Sequence, residues 1–225
     1  MKLIDQINQF RRINDPKREI VGPEGYYLIG VRADDLNRVA KTNAKTTTLS
    51  ELSELIASPV FDYRELALKI MVEKMAKAND AEQKQLYDFY RLNQRFINSW
   101  GLVDIAAHYV VGRYLYNQKN YQPLFEMVHS DDLWTKRISI VSTWWLIRKG
   151  ELHIPLQIIE LALNDSRDLI HKAMGWMLRE VGKRNLDLLN TFIKEHYHQL
   201  PRTTLRYAIE RHDEIVRQAI LKGIL

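Results

Sequence analysis

Apolar residues recur every three or four positions along most of the chain, and short polar runs with Asp, Asn, Pro or Gly separate the periodic stretches. Leu3, Ile4, Ile7, Phe10 and Ile13 predict an amphipathic helix over 2–13, ended by Asn14-Asp15-Pro16. Lys17 to Val21 then leave room for about one helical turn before Gly22-Pro23-Glu24-Gly25. The segment Tyr26 to Arg32 follows, then a short helix from Asp34-Asp35 through Leu36, Val39 and Ala40. A polar linker over 46–49 leads to a helix from Leu49 to Ala57 that stops at Ser58-Pro59. From there the rhythm is paired. Helices are expected over 62–77 and 80–95, over 99–115 and 121–128, from Asp131 to Gly150 and over 154–163. The stretch 163–185 and its follower 186–197 continue the pattern, and a last pair runs from Pro201 and from Arg211 to Leu221.

The charged mid-helix residues Arg64, Asp104, Arg137, Lys172 and Arg206 recur at intervals of roughly 33 to 40 residues, within the range of helical repeats. In such arrays each helix pair buries its apolar face only against its neighbours. With strand signals nearly absent, the expected fold is all-α, a curved solenoid with a concave face. It forms one domain over 1–225, divergent over 1–57 and regular over 58–225. The repeated charges would line the concave face or stitch neighbouring repeats. One residue breaks the pattern: Gly175, beside Trp176, falls in mid-helix, where intrinsic propensity gives no reason for glycine.

Composition narrows the classes without choosing among them. The 225 residues are 46% hydrophobic and 27% charged, ordinary for a globular protein. No cysteine is present, which excludes a disulfide framework and thiolate chemistry and is compatible with a reducing cytoplasm. The start Met1-Lys2-Leu3-Ile4-Asp5-Gln6 lacks the apolar run of a signal peptide, and no window approaches the ~20 apolar residues of a membrane span. A cytoplasmic monomer without membrane contact is expected. The net charge of +5 permits a polyanionic partner. No phosphate loop or zinc-protease motif occurs, and His196-x-His198 points two ways on one helix, so neither a cofactor nor a metal is expected.

Three repeats carry unusual residues. Trp100 and Asp104 stand at i and i+4 on one helical face, Arg137 takes the matching place in the next pair, and Trp176 lies in the one after. Singly, a Trp is more often core than site, and Asp104 and Arg137 more often form caps or inter-repeat pairs. Together they outline a carboxylate, a cation and two aromatics on one surface.

The order of motifs resembles the AlkD family of DNA alkylation-repair proteins. The resemblance rests on Leu28-Ile29-Gly30-Val31-Arg32, Ser99-Trp100-x-x-Val103-Asp104 and Ser130-Asp131-Asp132-Leu133-Trp134-x-x-Arg137. It continues in Lys172-Ala173-Met174-Gly175-Trp176-Met177-Leu178-Arg179-Glu180-Val181 and in Leu200-Pro201-Arg202-Thr203-x-Leu205-Arg206-Tyr207-Ala208-Ile209. It implies a HEAT-like repeat fold and, in active members, DNA glycosylases for cationic N3- and N7-alkylated purines. Asp104 would then be the catalytic carboxylate, with Trp100 and Trp176 flanking the deoxyribose and Arg137 holding the backbone. Lys136, Lys172, Arg179 and Tyr27 would add DNA contacts. The chain departs from the family between its first helix and Leu28. Active members place a recognition helix with aromatic residues there, and Pro16 to Gly25 is too short and broken for one. Tyr26 and Tyr27 are the aromatics left to replace it, from a loop. Two functions follow as expectations. One is a family member with weak or absent alkylpurine excision, binding DNA non-specifically or retargeted to another nucleic acid or a protein. The other is an active monofunctional glycosylase of base excision repair.

Overall fold

The computed structural model describes residues 2–12, 20–21 and 25–224. Among them the chain is all-α apart from one ribbon of two short strands. Internal contacts fall into two compact units, Met1–Tyr114 and Leu115–Leu225. No helix of the described residues is long and apolar enough to cross a membrane.

The first unit begins with α1 (Leu3–Asn8), shorter than its apolar spacing predicts. Before Gly22, where the sequence leaves room for one helical turn at most, the described residues are extended. Ile20–Val21 is a strand, β1, antiparallel to β2 (Tyr26–Tyr27), with Ile20 opposite Tyr27 and Val21 opposite Tyr26. β-branched and aromatic residues suit a pleated ribbon better than an isolated helical turn. The rest of the segment from Pro16 to Glu24 lies outside the described residues. Next come α2 (Ala33–Asn43), α3 (Leu49–Ile56), α4 (Phe61–Lys77) and α5 (Asp80–Leu92). Two of these starts are capping boxes. Thr48 and Glu51 satisfy each other's backbone N–H at α3, and Asn79 and Glu82 do the same at α5. A 3₁₀ turn, Gln94–Phe96, ends what the apolar spacing reads as one helix to Arg95.

The expected helix from Ser99 is three consecutive pieces: α6 (Trp100–Ala107), a π turn (His108–Gly112) and α7 (Arg113–Gln118). Within this unit α4 is the central helix, packed on α2, α3 and α6 and burying Leu66, Ile70 and Met71 completely.

The second unit contains α8 (Gln122–Val128), α9 (Leu133–Arg148), α10 (His153–Leu161), α11 (Asp168–Gly182), α12 (Leu186–His196), α13 (Arg202–Ala208) and α14 (Glu214–Leu221). Asp132 caps α9 by accepting from Thr135 N at 2.7 Å. Helix α9 packs on α8, α10 and α11, so its small polar residues are buried and bonded. Ser139 Oγ donates to Leu124 O at 2.7 Å and Thr143 Oγ to Ile140 O at 2.6 Å.

The unexplained Gly175 sits where α11 crosses α13. A Cβ there would lie 2.5 Å from Tyr207 Cβ and 2.7 Å from Thr204 O. Thr204 Oγ1 also donates to His171 O at 3.0 Å, and Thr204 Cα would lie 3.2 Å from that Cβ, so the backbone of α13 stands directly against Gly175. Glycine is present because another helix occupies the space of a side chain.

Candidate active site

Asp62, near the start of α4, accepts from Ile29 N at 2.9 Å and Val31 N at 2.8 Å. Between them Gly30 takes φ 73°, which a side chain would disfavour. This carboxylate therefore holds the Leu28–Arg32 segment against α4. Tyr26 is core: it is 1% exposed, with its hydroxyl 2.7 Å from Asn98 O and 2.6 Å from Asn98 Oδ1. It cannot replace a recognition aromatic, because burial and these bonds fix it inside the unit. Tyr27 is half-buried in β2, donates its N–H to Pro59 O at 2.9 Å and bridges to Val60.

Helix α6 starts at Ser99, whose hydroxyl accepts from Leu102 N at 3.2 Å. Trp100 is 60% exposed, far from the buried Trp that core packing alone would give. Asp104, half-buried, follows one turn later on the same helix. Burial pushes the Tyr90 hydroxyl's pKa up, and the negative charge of Asp104 adds to the shift. The Tyr90 hydroxyl itself is buried with no hydrogen-bond partner among the described residues. Directly after this helix comes the π turn, a feature that occurs frequently at functional sites.

In the second unit the expected DNA-contacting cations are occupied. Arg137 is 4% exposed and donates from Nη1 to Leu169 O at 2.5 Å, tying α9 to the first turn of α11. Lys136 Nζ lies 2.9 Å from Asp165 Oδ2. Lys172 pairs with Asp168 at 2.7 Å, which raises the lysine's pKa and lowers the carboxylate's. Arg179 pairs with Glu210 across to the segment after α13, and more loosely with Glu180 at 4.0 Å. Trp176 is half-buried on α11, next to the close crossing at Gly175. Equal sequence spacing thus does not mean equal environment: Arg64 and Arg137 are buried, Asp104 and Lys172 half-buried, Arg206 exposed.

Asp165 is the anchor that spacing did not reveal. It accepts from Lys136 and from Arg167 Nε at 2.9 Å, Nη2 at 2.5 Å and backbone N at 3.0 Å, while Arg167 Nη1 reaches Asp131 O at 2.7 Å. The Arg167 bonds, with help from Lys136, hold its carboxyl well below the usual carboxylate range. A depressed folded pKa means stability present above the unfolded value near 3.8 and lost as pH falls through the folded one. Asp165→Asn is therefore expected to destabilise by about 2–3 kcal/mol at pH 7, since it strands half-buried cations. The gap to wild type should narrow below about pH 4, as urea unfolding at pH 7 and pH 3 would reveal. An equal gap at both pH values would rule out charge as the cause.

These are the features of an all-α repeat protein with an exposed Trp and a carboxylate on one helix. A sequence model of the DNA alkylation repair enzyme family matches residues 7–212, and the chain belongs to that family. A solved structure described as a predicted DNA alkylation repair enzyme from Enterococcus faecalis is similar, with a TM-score of 0.65. The match covers 84% of this chain and 90% of that one at 16% identity, a likeness of fold. No curated protein matches the chain.

Proposed function

We propose that this protein carries the residue set of an alkylpurine DNA glycosylase but grips duplex DNA weakly, so that it releases cationic N3- and N7-alkylated purines slowly or not at all. The observation that carries this reading is the occupation of its cations: Lys136, Lys172 and Arg179 each face a carboxylate of their own chain. A phosphate would have to displace Asp165, Asp168 or Glu210 before gaining the contact, which offsets much of the counterion-release term. Arg137, buried on Leu169 O, serves in this reading to hold α11 and its Trp176. In this reading the stretch 16–25, too short and broken in sequence for a recognition helix, weakens lesion placement too, and correct groups held loosely lose several kcal/mol of barrier lowering.

A second reading, an active monofunctional glycosylase, is favoured by the exposure of Trp100 one turn from Asp104. Fluorescence anisotropy with a duplex, with and without one N7-methylguanine, separates the two. The first reading expects weak binding whose log–log salt slope is about −3, a fall of roughly 60-fold between 50 and 200 mM salt. It also expects the lesion to change Kd by less than about twofold. Tight, lesion-selective binding at physiological salt would favour the second.

A further inference from the structure

We infer that Arg64 is the positioning residue for Trp100 and Asp104, acting through Asn98, two residues before α6. Arg64 lies in the first turn of α4 and is 8% exposed. Three separate chain segments meet on its guanidinium. Nε donates to Ser58 O at 2.5 Å, and Nη1 donates to Phe96 O at 3.2 Å and to Asn98 Oδ1 at 3.0 Å. Its plane lies over the Tyr26 ring, 4.7 Å from the centroid, where a cation is attracted by the ring's negative face. Tyr26 closes the cluster with its hydroxyl against both Asn98 oxygens.

Asn98 is thus held by side chain and backbone at once. The next residue, Ser99, is extended (φ −144°, ψ 154°) and caps α6, so the chain passes directly from the held carbonyl into the helix. Trp100 is the first helical residue and is mostly exposed, so packing around its indole does little to place it. Its location is inherited from the backbone, and Asp104 follows one turn on by helical geometry. A planar, five-donor guanidinium can serve several acceptors at fixed angles, which a lysine cannot. The catalytic consequence rests on the proposed roles of Trp100 and Asp104; the placement itself does not.

The test uses the full chain and two variants. Tyr26→Phe keeps the ring over Arg64 and removes only the hydroxyl; Arg64→Lys keeps the charge and removes the fork. Amide hydrogen exchange is read at Leu102 and Val103, whose N–H groups bond to Ser99. Both variants should speed exchange there about tenfold or more, relative to Leu66 and Ile70 in α4, with Ala173 and Met174 in α11 unchanged. Single-turnover release of N7-methylguanine, where wild type shows it, should fall about tenfold with duplex Kd unchanged. Arg64→Lys could fail to fold, in which case Tyr26→Phe alone decides. Unchanged exchange at Leu102 and Val103, or an equal rise in α4, would make Arg64 a folding staple and overturn the inference. Absence of wild-type release would instead remove the proposed chemistry and leave the exchange result to decide on Arg64.

Discussion

Asp104→Asn is expected to lower whatever release of N7-methylguanine the wild type shows by roughly 10²–10³-fold, with folding and duplex affinity nearly unchanged. The substitution keeps the shape of the side chain and removes its negative charge. An N-alkylated purine already carries a positive charge, so the C1′–N bond breaks with little help at the base. The developing need is at the sugar, where positive oxocarbenium character builds and where a carboxylate and an indole face both stabilise it. Losing one such transition-state contact costs on the order of 3–4 kcal/mol. Trp100→Ala, on the same helix as Asp104, should slow release as well, and a neutral lesion such as uracil should not be released at all. Single-turnover assays on the three proteins measure this directly. Release that survives Asp104→Asn intact would place the chemistry elsewhere on the molecule.

Gly175→Ala should lower stability even though alanine is the better helix former by about 1 kcal/mol. The added methyl would stand 2.5 Å from Tyr207 Cβ and 2.7 Å from Thr204 O, atoms that no side-chain rotation can move aside. Overpacking of this kind costs about 1–3 kcal/mol, occasionally more, and here the backbones of α11 and α13 must part. A net loss of about 2 kcal/mol, or about 5 °C in Tm, is expected. Gly101→Ala is the internal control: its Cβ would meet Phe61 Cζ at an ordinary 3.5 Å, so the propensity gain should show unopposed. A Tm for Gly175→Ala at or above wild type would mean that α13 yields freely.

Most helices could be read from apolar spacing because each buries one stripe against a neighbour, and polar caps such as Asp132 mark the starts. What could not be read depends on residues far away in sequence. Gly175 was visible as an anomaly, but its cause is the backbone at Thr204. Tyr26 looked like a loop aromatic because its burial is set by Arg64 and Asn98. The regular spacing of charges was legible, yet spacing says nothing of whether a guanidinium ends on a carbonyl, as Arg137 does, or in solvent. Nor did it signal the Asp165 cluster, whose members come from two stretches about 30 residues apart, 131–136 and 165–167.

The π turn at His108–Gly112 has a consequence for angular phase. In an unbroken α-helix every side chain's azimuth is locked to every other at about 100° per residue. One residue in excess of the regular turn resets that relation, so the stretch before it and the stretch after it take their bearings from different neighbours. The stretch after is set by Tyr114 stacked on Tyr87 at 4.4 Å and by Arg113 on Ala76 O at 3.3 Å. The stretch before, with Trp100 and Asp104, packs on α4. The offset is fixed, so the exposed indole of Trp100 stands at an azimuth that an unbroken helix packed the same way at its far end would not give it.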